Sequence, residues 1–236
     1  MQPKMKDKNY RLGSIVLGLT VTVILFLTSC NDMDEPTPIE VAHVSIYHGS
    51  PDTDGLDIRV STGQINNDPF KFRDFSNYLN FYPGNRNMKF INSNAGVVAL
   101  VDTTFTFEVG ESYSVLIANK ASNLEAVMIE DSFPEAISGK AMVRFIHLSP
   151  DVPAVRVLAD EDDLFDAEDF KSSSDFKPVD AGRVSFEFIA EDGQNTVLQV
   201  PNVELMSRRY YNIILTGFDT PPAGNTHELS ADIIRL

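Results

Sequence analysis

The sequence predicts an all-β protein made of two tandem immunoglobulin-like antiparallel β-sandwiches. A His-x-Ser-Pro-Asp stretch at 48–52 returns at 147–151, 99 positions later, and self-similarity at a long fixed period indicates a duplicated unit. Apolar and polar residues alternate with a period of two, and turn residues interrupt the segments every ~10 residues. Neither unit contains a convincing amphipathic helix, so short strands are favoured throughout.

Each unit opens with a strand that leads into the repeated stretch. Val44 and Ile46 share one face of the first strand, and Val143 and Phe145 take the matching places in the second unit. Side chains two positions apart lie on the same face of a strand, so these residues are expected to face a core.

A tyrosine also recurs late in each unit. Tyr113 and Tyr211 are 98 positions apart, and each follows a tight turn and begins an apolar strand. A tyrosine in this place can bond its hydroxyl to nearby backbone, as the tyrosine corner of immunoglobulin-like domains does. The units diverge most at 160–175, predicted as a long acidic loop, and an edge strand is predicted at 229–236.

These patterns set the predicted boundaries. We predict a lipoprotein signal peptide at 1–29, an acidic tether at 30–40, the first sandwich at 41–132, a linker at 133–140 and the second sandwich at 141–236. Because the linker is short, the two sandwiches are expected to touch.

The N-terminus has the pattern of an export signal. Basic residues precede an uncharged apolar run at 12–27, which is typical of a cleaved signal peptide and short for a bilayer span of roughly 20 residues. Leu27-Thr28-Ser29-Cys30 resembles the bacterial lipobox, in which the cysteine is acylated and becomes the first residue. Cys30 is the only cysteine, so an internal disulfide is excluded and lipidation accounts for the thiol. Two or more acyl chains would anchor the protein stably.

Residues 31–38 are acidic and contain prolines, so an extended tether is predicted. An acidic patch directly behind the lipid-bearing cysteine also resembles the surface-export signal of Bacteroidetes lipoproteins, whereas a solvated linker is the plain alternative. The resemblance implies an outer-membrane lipoprotein displayed on the cell surface.

The chain is acidic, with a net charge of −15, and removing residues 1–29 leaves 207 residues with a charge of −18. This disfavours nucleic acid, which requires basic patches, and adhesion to anionic lipid headgroups. Cationic or neutral partners are favoured.

The repeated stretch, with the glycine turn and tyrosine strand downstream, resembles the bacterial family of domains of unknown function numbered 4397. The resemblance covers most of 41–236. It implies a β-sandwich protein of the cell envelope, sometimes described as adhesion-like. It implies no activity, so no catalytic residue is carried over.

The repeated stretch holds the residue types of a catalytic triad. However, His48, Ser50 and Asp52 fall within five positions on one turn, where nucleophile, base and orienting carboxylate rarely align. We therefore interpret His48, Asp52, His147 and Asp151 as structural markers of the repeat. Both histidines are expected to be buried and bonded to their own loops.

Acidic side chains in the predicted loop form a candidate calcium site. Asp160, Asp162 and Asp166 could supply the oxygen ligands that calcium prefers, but Leu164 stands where an EF-hand has a ligand. A solvated acidic loop is the alternative. No other metal spacing or cofactor motif occurs, so no cofactor is predicted.

Tyr78, Phe81 and Tyr82 lie near asparagines and form a candidate ligand-binding platform. Aromatic rings beside amides suit the recognition of sugar or peptide. Alternation along a strand would place some of the rings inside, so core packing is the alternative.

Together these observations predict a non-catalytic, lipid-anchored protein of the cell envelope that binds glycan or protein. A structural or accessory subunit of a surface complex is the alternative. A hydrolase built on the Ser-Pro-Asp turns would need a histidine in an open cleft.

Overall fold

The computed structural model describes residues 39–94, 96, 98–191 and 195–236. The predicted signal peptide, Cys30 and most of the predicted tether lie outside the described residues. Within the described part no helix is long and apolar enough to cross a membrane.

The first repeat contains β1 (Ala42–His48), β2 (Leu56–Val60), β3 (Gly63–Gln64), β4 (Phe75–Phe81), β5 (Gly84–Asn92), β6 (Ala99–Phe107), β7 (Ser112–Ala118) and β8 (Glu125–Glu130). The second repeat contains β9 (Lys140–His147), β10 (Val155–Ala159), β11 (Asp162–Glu168), β12 (Lys177–Asp180), β13 (Gly182–Ala190), β14 (Thr196–Leu205), β15 (Tyr210–Thr216) and β16 (Ser230–Arg235).

The strands form four sheets whose order is the same in both repeats. Sheet I has the order β4-β1-β7-β8 and sheet II the order β3-β2-β5-β6. Sheet III (β12-β9-β15-β16) and sheet IV (β11-β10-β13-β14) reproduce them strand for strand. Neighbouring strands are antiparallel, except that β1 pairs with β7 and β9 with β15 in parallel. The matching order confirms the predicted fold of two tandem β-sandwiches, and β16 is an edge strand as expected.

Each sandwich encloses its own apolar core between its two sheets. In the first, Phe90 of β5 and Phe107 of β6 are fully buried against the inner face of sheet I. In the second, Phe145 of β9 lies 5.7 Å from Phe188 of β13, measured between ring centres. These inward residues are the alternating apolar positions of the sequence pattern.

A third apolar cluster joins the two sandwiches. It is formed by the outer faces of the central strands of sheets I and III, through Tyr47, Leu116, Ile146, Leu148 and Ile214. Strands β1, β7, β9 and β15 are therefore buried on both faces. Burial on both faces explains the continuous apolar runs at 115–118 in β7 and 213–215 in β15.

The interface brings the backbone of Gly49 against Leu148, which is its counterpart in the second repeat. A Cβ atom at Gly49 would lie 2.7 Å from Leu148 Cδ1 and 3.1 Å from the carbonyl oxygen of Ile117. The site has no room for a second side chain. A glycine in one repeat thus accommodates the leucine of the other.

Both predicted tyrosine corners are present. The hydroxyl of Tyr113 accepts a hydrogen bond from the backbone N–H of Glu108 at 3.1 Å. The hydroxyl of Tyr211 accepts one from the backbone N–H of Met206 at 3.0 Å. Each bond reaches back five residues and fastens the turn before the strand.

The prediction of a long acidic loop at 160–175 is wrong for its first half. Residues 162–168 form β11, which pairs with β10 across a two-residue turn at Asp160 and Glu161. Phe165 is buried in the core of the second sandwich. Together with Leu164, which is partly buried against the same core, Phe165 holds an otherwise mostly acidic strand against the sheet.

The strand directions define two ends of the molecule. β1 and β9 start at what we call the proximal end, where residue 39 leads into sheet I, and run to the distal end, where the His-x-Ser-Pro-Asp turns lie. The linker at 131–139 connects β8 to β9 at the proximal end. Gly49 meets Leu148 near the distal end, so the two sandwiches lie side by side and point the same way.

Candidate functional site

The histidines of the repeated stretch are buried structural residues. His48 and His147 are fully buried at the ends of β1 and β9. Each accepts a hydrogen bond at Nδ1 from the backbone N–H of the serine two residues later, at 3.3 Å. The proton therefore sits on Nε2, and that of His147 donates to the carbonyl oxygen of Pro153 at 3.0 Å. Burial lowers the pKa of His48 to about 4 and also lowers the pKa of His147.

The aspartates of the stretch fasten a neighbouring loop. Asp52 Oδ1 accepts a hydrogen bond from the backbone N–H of Ala121 at 2.8 Å. The Asp151 carboxylate accepts from the backbone N–H groups of Asp219 and Thr220 at 3.0 and 3.1 Å. In both repeats the turn after the first strand is tied to the loop after the seventh. Because both histidines are buried rather than set in an open cleft, the stretch does not provide a hydrolase site.

Tyr78, Phe81 and Tyr82 do not share a surface, so the predicted aromatic platform is wrong. Phe81 is buried in the first core, edge-on to Phe107 with ring centres 5.5 Å apart. Tyr78 is half-buried and donates its hydroxyl to Asp131 Oδ2 at 2.7 Å. Of the three rings, Tyr82 alone is exposed.

A buried polar network joins the two sandwiches. Arg144 Nη2 on β9 and Asp131 Oδ1 after β8 lie 2.7 Å apart, and these side chains are 3% and 0% exposed. Ser114 and Tyr78 donate to the other carboxylate oxygen at 2.8 and 2.7 Å, and Arg144 Nε donates to Asn212 Oδ1 at 3.0 Å. Burial and the charge of Asp131 raise the pKa of Tyr78, so its hydroxyl remains a donor. This network was not predicted from the sequence, although an arginine inside the apolar strand β9 was a visible signal.

The three candidate calcium ligands do not converge on one point in the structure. Asp160 lies in the turn, where its Oδ1 accepts a hydrogen bond from the backbone N–H of Ser185 at 2.8 Å. Asp162 and Asp166 lie along β11. Among the residues that the structure describes, no group of three or more His, Cys, Asp or Glu side chains is placed to hold a metal ion.

A concave surface of about 400 Å³ lies on the outer face of sheet IV. We call it the sheet IV cavity. Five of its seven lining residues carry carboxylate, hydroxyl or amide side chains, and the other two are apolar: Asp160, Glu161, Ser185, Glu187 and Gln199, with Phe186 and Pro201. Alternation along β13 turns Ser185 and Glu187 outward while Phe186 faces the core. The volume is within the range of ligand sites in proteins, roughly 300–1,000 Å³.

Glu187 is held in place and ionised in this cavity. Its Oε1 accepts hydrogen bonds from Thr196 Oγ1 at 2.6 Å and from Gln199 Nε2 at 3.2 Å. These hydrogen bonds lower the pKa of Glu187. A glycosidase needs an acid whose pKa is raised, so Glu187 is suited to accepting hydrogen bonds and not to donating a proton.

The rim of the cavity is a turn in a left-handed conformation. Asp160 and Glu161 have φ values of 47° and 76°, as both central residues of a type I′ turn require. This conformation disfavours a residue with a Cβ atom by roughly 1–2 kcal/mol. Strained residues of this kind cluster at functional sites.

The fold defines a tandem β-sandwich protein with a duplicated eight-stranded unit. The chain belongs to the family described as "Domain of unknown function (DUF4397)", whose model matches residues 42–158 and 141–226. The two matches together span residues 42–226, which include every strand except β16. No curated protein matches the chain.

Solved structures with some likeness include two bacterial proteins. One is CBMbc, of family CBM26, from Eubacterium rectale Amy13K, crystallised in complex with maltoheptaose. It shares 11% identity with a TM-score of 0.28, over 78% of this chain and 100% of the other. The second is a candidate adhesin from Bacteroides ovatus, with 10% identity and a TM-score of 0.23, over 88% of this chain and 98% of the other.

Proposed function

We propose that this protein is a non-catalytic binding protein of the cell envelope that recognises glycan through the sheet IV cavity. The observation that carries the proposal is the polar, outward-facing concavity in which Glu187 is fixed by two hydrogen bonds. Sugar hydroxyls donate hydrogen bonds, and ionised carboxylates are strong acceptors for them. Asp160, Glu161 and Gln199 supply further polar groups around the same space.

A glycan array screened with the protein, followed by calorimetry on each positive glycan, tests this proposal. Glu187→Gln removes the charged acceptor and should weaken binding about tenfold or more, since hydrogen bonds to charged groups contribute roughly 1.5–3 kcal/mol. Glu204→Gln is the matched control, because it makes the same change at an exposed position on β14 outside the cavity lining. Equal loss in both variants would count against the cavity.

The anchoring part of the proposal rests on Cys30 at the end of the predicted signal peptide. The mature protein would begin at a diacylated or triacylated Cys30, remain attached to the outer membrane, and be displayed on the cell surface. Mass spectrometry of the N-terminal peptide from envelope preparations is the test. An unmodified Cys30 in exported protein would contradict anchoring.

An accessory subunit of a surface complex is the second candidate. β16 is an edge strand of sheet III and has no partner strand on its outer side in the described part of the chain. An open edge of this kind can add a strand from another protein. Pull-down from envelope extract, with cross-linking at β16, would identify such a partner, and capture without any glycan binding would favour this candidate.

A further inference from the structure

Exposed apolar side chains gather at the proximal end. Eight large apolar side chains are exposed among the described residues of 40–236, and five of them lie in connections at this end: Tyr82, Val109, Phe133, Ile137 and Met206. Tyr82 is 68% exposed. Their position follows from the topology, because every connection that precedes a first, fifth or seventh strand of a repeat lies at this end.

The proximal end also carries unpaired arginines on the side of the second repeat. Arg183, Arg208 and Arg209 are exposed, and in the described part of the chain no carboxylate lies within salt-bridge distance of any of them. Two of these arginines follow closely on the exposed Met206. Apolar side chains beside cations suit the boundary between acyl chains and headgroup phosphates.

We propose that the proximal end is a membrane-docking surface, and that it contacts the bilayer to which Cys30 is anchored. The inference rests on the anchoring part of the proposed function. Cys30 lies nine positions before Ile39, so the connecting chain spans at most about 30 Å. This chain joins the molecule at the end that carries the apolar side chains, and such a short tether keeps that end close to the lipid.

The docking is shallow and leaves the sheet IV cavity accessible. Glu40, Glu108 and Glu111 lie at the proximal end on the side of the first repeat, and Asp180 and Glu204 lie there on the side of the second. Carboxylates disfavour insertion into the hydrocarbon region, so the docking stays at the level of the headgroups in both repeats. The cavity opens on the outer face of sheet IV, starting two residues along β13 from Arg183, and shallow docking leaves it in solvent.

Tryptophan fluorescence tests the docking, because the chain contains no tryptophan. Single-tryptophan variants Met206→Trp at the proximal end and Leu100→Trp at the distal end are matched in exposure, at 49% and 41% for the native residues. Each acylated mature protein is reconstituted into zwitterionic phosphatidylethanolamine–phosphatidylcholine liposomes with brominated acyl chains. We expect at least a twofold loss of intensity at position 206 and no loss at position 100. Adding Arg208→Glu and Arg209→Glu should reverse most of that loss.

The controls separate docking from anchoring. Mass spectrometry of the same samples reports acylation of Cys30 independently of the fluorescence. Acylated protein that floats with liposomes but shows no quenching at position 206, or equal quenching at both positions, would overturn the docking and leave the anchor intact. Unquenched protein that sediments as a dimer would assign the apolar end to a second copy of this chain and would also overturn the docking.

Discussion

Replacing Asp131 with alanine should destabilise the protein far more than replacing an exposed aspartate. The change leaves the Arg144 charge buried at 3% exposure and removes the carboxylate that lies 2.7 Å from its Nη2. The hydroxyls of Ser114 and Tyr78 lose their acceptor at the same time. Breaking a buried ion pair by removing one partner costs about 3–5 kcal/mol, so we expect a loss of this size in the free energy of unfolding.

The assay is urea unfolding followed by circular dichroism, with Asp180→Ala as the matched control. Asp180 pairs with Lys140 at 2.8 Å but is 84% exposed, and exposed pairs contribute about 0–1 kcal/mol. The double variant Asp131→Leu with Arg144→Met should recover the part of the loss that comes from the buried Arg144 charge, because a packed apolar pair can replace a buried ion pair. The hydroxyls of Ser114 and Tyr78 still lack their acceptor in this variant.

Two results would refute this reasoning. One is a loss below about 1 kcal/mol for Asp131→Ala, as expected for the exposed control. The other is a double variant no more stable than Asp131→Ala, which would show that the buried charge left behind is not the cause.

Three further predictions address the repeat markers, the interface and the cavity rim. The pKa of His48 is about 4 in the folded state and about 6.5 in the unfolded state. Neutral His48 therefore stabilises the fold fully above pH 6.5, and this stabilisation is lost as the pH falls towards 4. By pH 5 the loss is about 2 kcal/mol of the free energy of unfolding. In urea titrations, the free energy of unfolding of His48→Gln should therefore fall correspondingly less between pH 7.5 and pH 5 than that of the unaltered chain. Gly49→Ala should lower the free energy of unfolding by about 1–3 kcal/mol through overpacking against Leu148. Adding Leu148→Ala to the same chain should relieve this overpacking. If the losses of the two single variants simply add in the double variant, the proposed contact is contradicted. Glu161→Gly should raise the melting temperature by removing roughly 1 kcal/mol or more of backbone strain, while binding of any cavity ligand weakens.

The fold could be predicted because the same sequence pattern occurs in both repeats. The repeated stretch and the paired tyrosines Tyr113 and Tyr211 fixed the unit length, and period-two alternation identified the inner face of each strand. The segment around Asp163 was predicted as a loop because its many acidic residues hide the alternating pattern of a strand. It forms a strand because the burial of Phe165 outweighs the polarity of its neighbours.

The site was harder to predict because it depends on how faces meet. The alternating pattern predicts that one face of β9 is exposed to solvent, yet Arg144 on that face is buried against the other sandwich. The local sequence pattern does not encode this long-range contact. The aromatic ring of Tyr78 suggested a ligand-binding platform, but its hydroxyl donates a hydrogen bond to Asp131. Glu187 and Gln199 are twelve positions apart, and only the pairing of β13 with β14 brings them together.

Calorimetry with each array-positive glycan, combined with chemical analysis of the recovered glycan, tests the central claim most directly. Our account predicts saturable binding by the unaltered chain, weaker binding by Glu187→Gln and not by Glu204→Gln, and a glycan recovered intact. Equal affinity in the unaltered chain and Glu187→Gln, or a glycan recovered cleaved, would contradict it.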